Sequence, residues 1–366
     1  MKDIKKDCEK IIALLASKDV MATIYKVNDG PIVRRIVIDC LTADDREKVS
    51  EIKDSEYAAA LGVDSVKRIF VRSAGFYEGI EYARTSRLPW KVRFDDHEAF
   101  RSGASKDGGI ALPVIIGKGY SQSPLIEDLA RVNNLLLIDK DGRNRGAFFE
   151  TTIAGLAHKY SPTELKFVLV DSSERVFAKF KKLPHLLVPV ITDHRKFVFS
   201  MNWFAEEKGK RFRMLDEALC YDIEEFNNRD VNADMVDGLP QKLPYLILIS
   251  DQFDRHIKDN VFESWQDMLI GGSRLGIYVM ASTGNLSARV LDSISGYAAR
   301  FRGRIVFKVP SAKDSDLALG FDDIGAERLV ADRDAIYYGR GSFFQRLQTP
   351  CLSAQEIKKA VTKRSK

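Results

Sequence analysis

The chain has 366 residues, 30% of them charged and 45% hydrophobic, with a formal net charge of +5 at pH 7. This is an ordinary soluble balance, with length for about two domains and an ample core. No run approaches the roughly 18 consecutive apolar residues of a spanning helix, so no membrane span is expected.

The opening MKDIKKDCEK mixes acids with bases ahead of a short apolar run, which makes a poor signal peptide. Four cysteines, Cys8, Cys40, Cys220 and Cys351, are scattered without C-x-x-C spacing. That pattern fits a reducing cytoplasm and no zinc site, so a cytoplasmic location is expected. In chain order, residues 1–100 predict an opening helix, then strands at IYKV, IVRRIVIDCL and VKRIFVRS, with a helix at about Asp44–Leu61. Residues 101–109, RSGASKDGG, are small and polar and read as a linker. From Ile110 onward, apolar runs alternate with amphipathic stretches: LPVIIG, NLLLI, KFVLVD, YLILIS, GIYVMAS, RIVFKV and AIYYG. Near-continuous apolar strands separated by helices predict an α/β domain over residues 110–366, with a parallel sheet covered on both faces.

The stretch LLLIDKDGRNRG at 135–146 sits between one of these strands and a helix expected from about Ala147 to His158. A phosphate-binding loop in this position has the pattern G-x-x-x-x-G-K-[ST]. Its amides wrap phosphate, its Lys reaches the β/γ oxygens, and its hydroxyl holds Mg²⁺. Here Asp139 stands for the first Gly, Asn144 for the second, Arg145 for the Lys and Gly146 for the hydroxyl residue.

The flanks fix that register. Residues 117–136, GKGYSQSPLIEDLARVNNLL, resemble the lead-in G-K-x-x-x-G-x-P-x-x-x-D-L-A-x-x-P-H-L-L of FtsK/SpoIIIE-type DNA translocases. Beyond the loop, Ser161–Leu165 resembles the family's T-P-x-x-[LV] turn, and FVLVD at Phe167–Asp171 its next core strand. LPHLLVPVITD at Leu183–Asp193 is similar to I-P-H-L-L-x-x-V-V-T-D, and LPYLILISDQFD at Leu243–Asp254 resembles the Walker B strand. Gly325–Leu329 and Asp334–Tyr338 resemble G-A-E-x-L and D-M-L-Y, while Gly30–Arg35, Tyr57–Gly62 and Arg68–Glu81 resemble the small αβ domain ahead of the motor. The likeness covers about residues 15–360. It implies a RecA-like P-loop NTPase fold over 110–366, preceded by a small α+β domain over 1–100. Full-length members often carry membrane helices and a C-terminal winged-helix module, and neither is expected in this sequence.

The resemblance also implies a vestigial nucleotide site made of Asp139, Gly142, Asn144, Arg145, Gly146, Asp251, Gln252 and Thr283. Arg145 keeps the charge of the P-loop Lys, but a broad planar guanidinium does not fit where a compact ammonium did. Asp139 puts a carboxylate where glycine let backbone approach phosphate. Asp251 takes the metal-holding position, and Gln252 takes that of the catalytic Glu, where a neutral amide cannot act as a base. A register shift of one would instead place Ser250 for the Asp and Asp251 for the Glu. After GIYVMAS the family has A-T-Q-R-P-S. This chain has Thr283-Gly284-Asn285, without the Gln or Pro. Asp314-Ser315-Asp316 likewise departs from D-S-R. Losses converging on one ligand, in a reaction run by positioning and charge, point away from catalysis and toward no cofactor.

The expected function is therefore a non-catalytic FtsK-like protein. It would bind duplex DNA weakly and without sequence preference, or regulate an intact FtsK-like motor in a homo- or hetero-oligomeric ring. One alternative is an active ATP- and Mg-dependent translocase with an aberrant loop, and a further one a type VII secretion-like pseudo-ATPase domain. Candidate DNA contacts are Arg300, Arg302 and Arg304 in RFRGR. Other basic clusters are Arg34/Arg35, Lys179–Lys182 and Lys208–Arg213. His185, alone inside the PHLL string, is expected to be structural.

Overall fold

The computed structural model describes residues 2–72, 76–83, 110–120, 123–230, 238–257, 261–286, 301–329, 332–339 and 344–362. The linker expected at 101–109 lies outside them. The chain divides into two compact units. The first comprises residues 1–90 together with 118–124, and the second residues 91–117 with 125–366.

In the first unit, α1 (Lys2–Ser17) precedes β1 (Ala22–Asp29) and β2 (Val33–Cys40). Then come α2 (Ala43–Glu51), α3 (Asp54–Leu61), β3 (Val66–Arg72) and β4 (Phe76–Ala83). The single helix expected at Asp44–Leu61 is two helices. Ile52 turns to extended backbone after α2, and Gly62 ends α3 at φ 72°. Thr42 opens α2 with a reciprocal capping box to Asp45. The strands form one antiparallel sheet in the order β1-β2-β4-β3. Ile36, Ile38 and Ile80 from the sheet pack with Ile11 and Leu15 of α1 and Tyr57 of α3.

The second unit begins with β5 (Pro113–Gly117), which pairs antiparallel with β6 (Leu125–Asp128) in a separate ribbon. There follow α4 (Leu129–Val132), β7 (Asn134–Ile138), α5 (Arg143–Lys159), β8 (Leu165–Asp171), α6 (His194–Glu217) and α7 (Ile223–Asn228). The remainder is β9 (Tyr245–Asp251), α8 (Phe262–Leu269), β10 (Ile277–Thr283), β11 (Gly303–Phe307), α9 (Ala312–Leu319), β12 (Asp334–Tyr338), β13 (Phe344–Gln348) and α10 (Ala354–Thr362).

The main sheet has seven strands in the order β13-β12-β11-β7-β10-β9-β8. Strands β7 to β11 are parallel, and β12 and β13 add antiparallel. The sheet is therefore mixed, whereas composition predicted a parallel one. The parallel strands are buried along their length, which explains their unbroken apolar runs. Leu136, Val168, Leu248 and Val279 pack in one core with Phe204 and Trp265. Among the described residues no helix is long and apolar enough to cross a membrane.

Candidate functional site

All five parallel strands end on the same side of the sheet, and β7 lies between β10 and β11. Open α/β sheets bind ligands at such a place, outside the carboxyl ends of the strands. Four residues, Asp139–Gly142, connect β7 to α5 there. Gly142 is at φ 80°, a left-handed turn that delivers the chain into the helix. A Cβ at Gly142 would come within 2.9 Å of the Arg145 guanidinium. The helix starts at Arg143, four residues before the expected position, because its first amides find a partner inside the protein.

That partner is Asp139, which is 1% exposed. The backbone N–H groups of Asn144 and Arg145 donate to its Oδ2 at 2.9 and 3.0 Å. The start of a helix offers unpaired N–H groups and the positive end of the helix dipole, and both favour an anion. The Asp139 amide in turn donates to the Thr283 carbonyl at 3.0 Å, tying the loop to the tip of β10.

Arg145 leaves the same turn and reaches across to β9. Its Nε donates to Asp251 Oδ1 at 2.6 Å, and its Nη1 donates to the Asp139 carbonyl at 2.9 Å. Arg145 and Asp251 are 6% and 2% exposed, so solvent screens this pair little. Ser282 Oγ also donates to Asp251 Oδ1, at 2.9 Å, and accepts from the Gln252 amide at 3.1 Å. Gln252 lies at φ 51°, ψ 57°. That backbone region costs an L-residue roughly 1–2 kcal/mol, so the strand tip is held against its own preference. Ser250 is fully buried, and Asp251 is the residue of this strand whose carboxylate meets Arg145.

The remaining positions of the expected set are placed as follows. Asn144 Oδ1 accepts from the Arg333 amide at 2.8 Å, so its side chain fastens the helix start to the segment before β12. Thr283 is buried, and its hydroxyl serves the turn at Asn285, accepting from the Asn285 amide at 3.0 Å. Gly146 has room: a Cβ there would meet Val176 Cγ1 at 3.8 Å, an ordinary contact. The helix could thus accept a hydroxyl residue at this position without moving anything. Asp139, Arg145 and Asp251 form one connected group, whereas Asn144 and Thr283 face other partners.

The basic candidates fare differently. Arg300 lies outside the described residues, and Arg302 is exposed. Arg304 is a correction to the expected DNA face. It is 5% exposed and donates from Nη1 to the Leu319 carbonyl at 2.7 Å, with its guanidinium 5.7 Å from the Tyr338 ring centre. Burial lowers its pKa from the usual arginine value. β11 is buried along its whole length, so this side chain lies inside the protein. Arg34 is buried and binds Asp29 at 2.8 Å and also Asp7. Lys179 pairs with Glu150 and Lys208 with Asp267, each at 2.7 Å. Arg211 is 1% exposed and donates to the Leu275 carbonyl at 2.8 Å. Much of the basic sequence is thus used internally. His185 is buried, with Nε2 2.9 Å from the Tyr160 carbonyl.

Sequence reasoning missed one member of the site and misread another. Ser282 gave no signal, being one hydroxyl in a buried strand. Asp139 was read as a lost glycine, although an acid just before a helix is ordinary N-terminal capping chemistry.

The sequence profile of the FtsK/SpoIIIE family matches residues 97–294. The DNA translocase FtsK of Rickettsia typhi is 28% identical over 98% of this chain and 50% of that protein. That of Haemophilus influenzae is also 28% identical, over 93% and 66%. The chain spans about half the length of the curated relatives it matches. Among solved structures, the pCW3 conjugation coupling protein TcpA superposes with a TM-score of 0.62 at 13% identity, covering 100% of both chains. The cytoplasmic domain of the Thermomonospora curvata type VII secretion ATPase EccC gives 0.60 at 18%, covering 75% of this chain and 34% of that one. At such identities the likeness speaks for the fold alone, a RecA-like α/β arrangement. A profile match over more than half of the chain, on a sheet whose strand tips gather Asp139, Arg145 and Asp251, shows that this chain belongs to the FtsK/SpoIIIE family.

Proposed function

We infer that the chain is a non-catalytic FtsK-like protein that works by binding and not by turnover. The observation that carries this reading is the Arg145–Asp251 pair, 2.6 Å long and buried at both ends. Arg145 stands where a P-loop Lys would face phosphate, and Asp251 where a carboxylate would hold the metal. Bound to each other, neither is free for those tasks. Gln252 supplies no carboxylate to activate water. Gly146 supplies no hydroxyl for Mg²⁺ although space for one exists. The residues present do not fit Mg·ATP.

What remains is a RecA-like scaffold with a net charge of +5. It supports weak, sequence-independent contact with duplex DNA phosphates, or docking on an intact motor ring of the same family. A ligand that binds only the native state raises apparent stability by RT ln(1 + [L]/Kd). Thermal melts with and without millimolar Mg·ATP should therefore coincide, with no phosphate released. A rise in melting temperature refutes the reading, and turnover returns the chain to the active-translocase alternative.

A further inference from the structure

We propose that Asp139 and Arg145 form an intramolecular plug, in which the chain's own carboxylate holds an anion site shut and its own guanidinium stands in for the metal. This inference rests on the non-catalytic reading and gives it a cause. The Asn144 and Arg145 amides converge on one oxygen, Asp139 Oδ2, at 2.9 and 3.0 Å. Two adjacent helix-start amides aimed at a single oxygen form the geometry with which such helices hold phosphate. Here the oxygen is covalently part of the strand that precedes the loop. It is also shielded from water, since Asp139 is 1% exposed.

The cation side matches. A metal at a P-loop site lies between the acidic strand tip and the ligand's negative oxygens. The Arg145 guanidinium puts its positive charge at that acidic tip, donating to Asp251 Oδ1 at 2.6 Å and to the backbone carbonyl of Asp139 at 2.9 Å. Anion and cation are thus both supplied by the chain. A dissolved phosphate must displace a tethered carboxylate that never diffuses away, a contest settled by effective concentration. The plug holds the turn in a ligand-loaded shape at all times. A partner would then meet one fixed surface, with no cycle between loaded and empty forms.

The test uses sodium pyrophosphate without metal, so that neither Asp251 nor Gln252 is asked to act. Calorimetric titration and thermal melts would compare the full wild-type chain with Asp139→Gly, Asp139→Ser and Asp139→Asn. Asp139→Gly removes the plug. Asp139→Ser keeps a neutral cap and guards against loss of fold. Asp139→Asn keeps an acceptor of the same shape. We expect wild type and Asp139→Asn to be silent at 10 mM pyrophosphate, about the concentration at which a weak anion site would fill. Asp139→Gly or Asp139→Ser should gain at least tenfold in affinity over wild type. The plug is overturned if both open variants fold with wild-type circular dichroism and gain nothing, or if wild type already binds as well as they do. Failure of both open variants to fold also overturns it, because a carboxylate that the fold requires is a structural cap. The two ideas fail separately. Mg·ATP binding by wild type sinks the functional reading, whereas silence of wild type together with silent open variants sinks the plug alone.

Discussion

Replacing Arg145 by Met removes the guanidinium and leaves Asp251 buried without its counter-charge. Breaking a buried pair in this way costs about 3–5 kcal/mol, because the surviving charge stays desolvated. Asp251 keeps the Ser282 hydroxyl at 2.9 Å. A hydrogen bond to a charged group contributes about 1.5–3 kcal/mol, so the low end applies, about 3 kcal/mol. For a folded body of some 150–250 residues, each kcal/mol moves Tm by about 2–4 °C. The transition of the second unit should therefore fall by about 6–12 °C in scanning calorimetry. Asp251→Asn alone should also destabilise, by stranding the guanidinium. The double variant R145M/D251N removes both charges of the pair and leaves Asp139 on its helix amides, and it should recover about 1–3 kcal/mol against the sum of the singles. A single-variant loss below about 1 kcal/mol, or strict additivity in the cycle, would refute the claim that Arg145 is locked in place.

Two further outcomes are expected. Burial raises the Glu78 carboxyl above the usual value, and Arg68 at 3.6 Å only partly offsets this. The native state then binds more protons than the unfolded chain between the unfolded and the raised folded pKa. Stability is therefore lost as pH rises through that window. Glu78→Gln should raise Tm at pH 7 and change it little at pH 4; a lower Tm at pH 7 would count against this account of the sheet. On β11, Arg304→Glu should cost about 3–5 kcal/mol by placing an acid in a buried site, whereas exposed Arg302→Glu should stay within about 0.5 kcal/mol. In salt-titrated anisotropy with duplex DNA, wild type should bind at about 10⁻⁴–10⁻⁶ M, and R302E should lower the log–log salt slope by about 0.9 for each phosphate contact removed. An unchanged slope would take Arg302 out of any DNA face.

The legible parts of the fold were those where one pattern had one cause. Buried parallel strands such as NLLLI and YLILIS are largely apolar because helices cover both faces. The strand FYEGIEYA escaped notice because Gly79 and two acids interrupt its alternation, although its Ile80 is buried in the sheet core. Strand direction is not written in composition, so the antiparallel β12 and β13 could not be told from their parallel neighbours. At the site, family register located Asp139, Arg145 and Asp251, but not their bonds to one another. The Arg145–Asp251 bond joins positions 106 residues apart, and only the folded sheet brings them together. RFRGR misled for a related reason. A basic run reads as surface, yet Arg304 lies within the buried strand β11, whereas Arg302 precedes that strand and is exposed.

The strand order has a consequence for synthesis. β7, which carries the loop, is completed by β10 and β11, and Asn134 lies beside Val279, 145 residues later. At about 5–20 residues per second, a ribosome needs roughly 7–30 s to cover that distance. Throughout that interval the nascent chain carries Leu135-Leu136-Leu137-Ile138 with neither flanking strand yet made. Each growing polypeptide thus passes through a stage of exposed, adhesive strand before the tips can meet. The loop is among the first parts of the sheet to be translated, and the site it belongs to is among the last to be assembled.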